Sequence, residues 1–87
     1  MILLVIDVSD LNMGLESFDV RVNLSRNFTV NDFKRKICDG IREFARTDVP
    51  DPSQLQMLAP DGNPLPSYQS LYDLSLADWD TLFLRRR

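Results

Sequence analysis

Between Phe18 and Phe44 the spacing of the apolar residues changes, and that change limits the folds open to this chain. Phe18, Val20, Val22 and Leu24 alternate with Asp19, Arg21 and Asn23. This is the period-two pattern of a strand with one wet face and one buried face. Val30, Phe33, Ile37, Ile41 and Phe44 then follow three- and four-residue steps, the pattern of an amphipathic helix. Thr29 stands at the N-cap position with Asp32 three residues on, which predicts a capping box with Asp in place of the usual Glu or Gln. Asn31 and Asp32 suit the positive end of the helix dipole, and Arg42 and Arg46 suit the other end. The helix must stop before Pro50 and Pro52, leaving residues 47–53 as a loop.

Ile2 to Val8 reads as an earlier strand. Ile2, Leu4, Ile6 and Val8 share one face, and Leu3 and Val5 make the other face apolar too, so this strand is expected at the centre of the sheet. Residues 9–17 join it to Phe18–Leu24 in a long-looped hairpin, with Asn12 and Gly14 as the candidates for unusual backbone angles. After the helix, Gln54 to Leu58 predicts a short strand and Pro60-Asp61-Gly62-Asn63-Pro64 a turn. Leu65 opens a brief strand that Pro64 and Pro66 confine to an edge. Ser70 to Leu76 reads as a helical turn sending Leu71, Leu74 and Leu76 inward, and Thr81 to Arg85 as the last strand. The expected class is α+β: a mixed sheet of four to five strands packed on one long helix. With 87 residues there is room for a single domain, 1–87.

Composition narrows the function classes. Histidine is absent, which excludes a histidine-based catalytic triad, histidine metal site or histidine pH switch. The single cysteine, Cys38, excludes an intrachain disulfide and is expected to be buried in the helix as a small apolar residue. No glycine cluster precedes the helix, so no phosphate loop is formed, and the scattered carboxylates lack the density of a calcium loop. An enzyme is not expected, and no cofactor is implied. The net charge of −3 does not suggest nucleic-acid binding. The apolar run at residues 2–6 is too short to insert in a membrane and lacks the flanks of a signal peptide, which gives a cytoplasmic expectation.

The order of these pieces resembles the ubiquitin-like β-grasp family over nearly the whole chain. Thr29-Val30-Asn31-Asp32-Phe33-Lys34-Arg35-Lys36-Ile37 is similar to the start of that family's helix. Ser70-Leu71-Tyr72-Asp73-Leu74 is similar to its Thr-Leu-x-Asp-Tyr segment, and Thr81-Leu82-Phe83-Leu84 to its final strand. The long first loop followed by Phe18-Asp19-Val20-Arg21-Val22 further resembles the YukD/EsaB group, small bacterial ubiquitin-like proteins of type VII (WXG100-type) secretion. That resemblance implies a non-conjugated accessory that binds proteins without catalysis. Conjugated members end in Gly-Gly, whereas residues 84–87 here are Leu-Arg-Arg-Arg. Two alternatives stand beside it: a ubiquitin-like domain of a larger eukaryotic protein recruiting proteasome or unfoldase partners, and a small subunit of a multicomponent oxygenase.

The resemblance implies a binding patch on the outer sheet face. By strand parity Leu58 and Phe83 supply apolar groups there, and Arg85 stands where the family places an apolar residue. Both Leu58 and Phe83 are open to a second reading as ordinary scattered surface residues. A second candidate surface is the exposed helix face bearing Lys34, Arg35 and Arg42. Trp79 is read either as folded over the last strand or as an exposed interface anchor; a positive φ there would strain it. Tyr68 and Tyr72 are expected to cap the core with their hydroxyls in water. Arg85, Arg86 and Arg87 read as a solvated face or tail, with an acidic partner or a phospholipid headgroup as the alternative. The expected partners are proteins, secretion machinery components among them, and an open sheet edge admits a weak homo-oligomer.

Overall fold

The computed structural model describes residues 1–87. Strand β1 (Ile2–Asp7) pairs antiparallel with β2 (Ser17–Val22). After α1 (Val30–Gly40) come β3 (Leu55–Leu58) and β4 (Thr81–Arg86), which pair antiparallel with each other. Strand β4 also lies parallel to β1, so the four-stranded sheet runs β2-β1-β4-β3. The central position of β1 follows from its apolar residues on both faces. Leu4 and Ile6 face the helix and are fully buried, while Leu3 and Val5 on the other face are half-buried.

The capping box forms as the sequence predicts. Thr29 Oγ1 accepts from the Asp32 amide at 3.1 Å, and the Asp32 carboxylate accepts from the Thr29 amide at 3.2 Å. Val30, Phe33, Ile37 and Ile41 then pack on the inner face of the sheet with Met57, Leu71 and Leu84. Cys38 is fully buried beside them. The start of α1 is tied down by the segment before Leu71. The Val30 amide donates to the Gln69 carbonyl at 2.8 Å, and the Leu71 amide to the Phe28 carbonyl at 3.0 Å.

Several sequence expectations need correction. The helix does not continue its α pitch toward Pro50: Ile41–Ala45 forms a wider π turn, and Arg46 closes it at φ 52. One more residue per closed ring rotates Phe44 out of the apolar stripe, and its side chain is 84% exposed. The second strand ends at Val22 rather than Leu24, and Gln54 belongs to a short 3₁₀ turn before β3. Leu65 forms no strand. Pro64 makes an isolated bridge to Leu58, and the Leu65 amide donates to the Met57 carbonyl at 2.8 Å. The flanking prolines have no N–H to extend a ladder, so the sheet stays at four strands. Nor is the arginine run a free tail. Arg85 and Arg86 belong to β4, and the Arg87 amide donates to the Gln54 carbonyl at 3.0 Å.

Candidate protein-binding surface

The outer sheet face carries the charged and apolar groups that the helix does not cover. Strand register sets Phe83 between Asp7 of β1 and Leu58 of β3. One step along β4, the Arg85 guanidinium lies 5.3 Å from the centre of the Phe83 ring, a cation–π contact. Asp7 accepts from both the amide and the hydroxyl of Ser9, at 3.0 and 2.7 Å. These bonds, with Arg85 as a smaller contribution, hold its carboxyl below the usual carboxylate range. The face thus presents a half-buried aromatic ring under a guanidinium, beside an ionised carboxylate.

Leu58 does lie on this face by parity, yet it is only 6% exposed. It is flanked by Phe83 in register and by Pro64 through the bridge. It therefore supports the Phe83 ring and offers almost no surface of its own, which corrects the sequence expectation.

Trp79 sits in the turn that leads into β4. It is 63% exposed and adopts φ 70, a left-handed conformation that costs a bulky residue roughly 1–2 kcal/mol. The turn is held by its neighbours. The Trp79 amide donates to the Leu3 carbonyl at 2.7 Å, Asp78 accepts from the Leu3 amide at 2.9 Å, and Asp80 accepts from the Ala77 amide at 2.9 Å. The indole is thus exposed and not folded into the core. Tyr68 and Tyr72 are exposed, and Tyr72 carries the Arg26 guanidinium at 5.1 Å from its ring centre.

The helix face fares differently. Lys34 is not a surface cation: it is 2% exposed, and its ammonium donates to the carbonyls of Leu55 at 3.0 Å and Pro52 at 3.3 Å. Burial lowers its pKa, and the nearby Arg87, whose Nε shares the Leu55 carbonyl at 3.2 Å, adds to the effect. The buried helix stripe is wider than the apolar pattern shows, because Lys34 also turns inward, onto the start of β3. Arg35 and Arg42 remain exposed, but they line a polar cleft with Asp39, Asp51 and Ser53. Arg42 is paired with Asp39 at 3.5 Å. Two arginines set among two aspartates make a charge-balanced surface, not a basic patch.

A second concave feature was not visible in the sequence. A groove of about 480 Å³ runs between α1 and β2, lined by Phe18, Val20, Phe33, Ile37, Ile41 and Phe44 among others. The signal was present only in Phe44, whose place on the apolar stripe the π turn overrides. No group of three or more Cys, Asp or Glu side chains is placed to hold a metal ion, and no helix is long and apolar enough to cross a membrane.

Solved structures place this architecture. A ubiquitin of Caldiarchaeum subterraneum superposes with a TM-score of 0.71 at 21% identity, covering 99% of this chain and 92% of its own. The fold is a ubiquitin-like β-grasp. The ubiquitin-like domain of Dsk2 from Plasmodium falciparum superposes with a TM-score of 0.68 at 27% identity, covering 99% of this chain and 97% of that one. No family model and no curated protein matches by sequence. The likeness to the YukD/EsaB group is not among these findings. Within the β-grasp frame, the outer face and the α1–β2 groove lie on opposite sides of the sheet.

Proposed function

We propose that this chain is a non-catalytic, non-covalent protein-binding module whose working surface is the outer sheet face around Phe83 and Arg85, with Trp79 at its end. The observation that carries this reading is the Phe83–Arg85 pair: an aromatic ring and a guanidinium stacked at 5.3 Å on a rigid sheet. Aromatic residues and arginine are the side chains that dominate binding energy at protein interfaces. Trp79 supports it, because a strained and exposed tryptophan in a pinned turn contributes little to the core. Leu58 acts beneath the surface by buttressing Phe83, while Lys34 has no place in it.

Two settings fit such a module. The long β1–β2 loop and the resemblance to YukD/EsaB proteins favour an accessory of type VII secretion. The likeness to the Dsk2 ubiquitin-like domain, which spans nearly the whole of both chains, favours a recruiting domain of a larger protein. Affinity capture from the source cells, with partners identified by mass spectrometry, separates them. A secretion ATPase or channel component lost with Phe83→Asp supports the first, and proteasome or unfoldase subunits lost with the same change support the second. Capture that survives both Phe83→Asp and Trp79→Ala refutes the outer-face assignment.

A further inference from the structure

We infer that the free edge of β2 is a self-association surface, on which a second copy of this chain docks by antiparallel β2–β2 pairing. Of the two sheet edges, the one at β3 is partly covered: Leu65 donates its amide to Met57, and Pro64 bridges Leu58. The edge at β2 is open. The Val8 amide donates to the Glu16 carbonyl at 2.8 Å, so that pair is a hydrogen-bonded one. Alternation along the register then turns the main-chain groups of Phe18, Val20 and Val22 toward β1. Those of Ser17, Asp19 and Arg21 point away from the sheet, and no protein group pairs with them.

The side chains specify the occupant. A two-fold axis through Val20 sets Asp19 opposite Arg21 of the second copy, and Arg21 opposite its Asp19. These are the residues whose main-chain groups face outward, so each charge pair also exchanges two backbone hydrogen bonds. On the inner face the same axis sets Phe18 opposite Val22 and Val20 opposite itself. Moving the axis to Asp19 or to Arg21 would set like charges against each other, which is unfavourable for residues directly opposed. The edge is thus charge-complementary to itself in one register.

The geometry also accounts for the groove. Phe18 and Val20 line it from the strand side, and the exposed Phe44 lines it from the helix side. An axis perpendicular to the sheet keeps both helices on the same side of one continuous sheet, so the two grooves open toward each other. Edge pairing would withdraw Phe18, Val20 and Phe44 from water together.

Sedimentation equilibrium of the full chain, from micromolar to millimolar concentration, tests this. The parent chain is expected to show a monomer–dimer equilibrium. Asp19→Arg and Arg21→Asp each place like charges at both symmetric contacts and should weaken self-association by about tenfold or more. The double change Asp19→Arg with Arg21→Asp restores complementarity and should dimerise like the parent, which guards against loss of folding. Mixing the two single variants should restore a dimer, because each supplies the charge the other lacks. A parent chain that stays monomeric throughout overturns the inference and leaves the edge to an extended peptide of another protein. A dimer indifferent to both single changes, or a mixture that stays monomeric, overturns it as well. None of these readouts depends on Phe83 or Arg85, so the outer-face reading stands or falls separately.

Discussion

At the scale of single residues, two places show a departure that a stability measurement can read, one in backbone geometry and one in charge. Trp79 holds φ 70 with most of its side chain in water, so the strain of a bulky left-handed residue is not returned by core packing. Trp79→Gly removes that strain, and the variant is expected to be more stable by about 1 kcal/mol, read as a higher urea midpoint at unchanged slope. It should at the same time bind its partner more weakly if Trp79 is an anchor; a less stable variant would mean that the indole packs on the fold. The second place is Asp7. Its carboxyl is held below its ordinary value of 3.8 by the Ser9 hydroxyl, then by the Ser9 amide, with Arg85 assisting. A depressed folded-state pKa makes the unfolded chain the stronger proton binder as pH falls. The contribution is therefore fully present above 3.8 and is lost as pH falls through the lower folded value. Asp7→Asn should lose less stability between pH about 5 and pH about 2 than the parent, measured by urea unfolding at each pH. Equal losses in the two chains would remove Asp7 from the acid limb.

At the scale of elements, the π turn after Gly40 decides the worth of two phenylalanines on one apparent stripe. Phe33 is 1% exposed, touches the core and meets Phe28 edge to face with ring centres 5.8 Å apart. Phe44 projects into solvent beside the groove. Phe33→Ala is expected to cost about 3–5 kcal/mol, whereas Phe44→Ser should stay within about 0.5 kcal/mol, both by chemical denaturation of dilute monomer. A large loss with Phe44→Ser would place its ring in the core after all. The helix N-terminus, the central strand and the turn at Asn12 and Gly14 were all legible from local signals, namely a capping pair, apolar residues on both faces and turn formers. The π turn was not, since no residue type between Ile41 and Ala45 announces it.

At the scale of the whole molecule, the outer face divides into residues that support and residues that contact. Leu58 is almost completely buried between Phe83 and Pro64, and Phe83 is half-buried under Arg85. Leu58→Ala should therefore cost about 2 kcal/mol or more of stability. Phe83→Asp should chiefly abolish partner capture while the chain remains folded by circular dichroism. If both changes acted on stability alone, the face would be a second layer of packing rather than an interface. Here the candidate site was half legible. Strand parity put Phe83, Arg85 and Leu58 on one face correctly, but parity carries no information about which loop lies beside a strand, and it is Pro64 that covers Leu58.

The β-grasp order of elements, the inward face of each strand and the capped start of the helix are written in the local pattern of the chain. Those features rest on contacts between residues two to four apart, and such contacts leave a period in the chain. Folding in three dimensions is what buries Lys34 on the carbonyls of Pro52 and Leu55, covers Leu58 but not Phe44, and leaves β2 rather than β3 with an open edge. Each of these depends on segments distant in sequence arriving side by side. Burial of a residue is then a property of its neighbours in space, not of its own type or spacing.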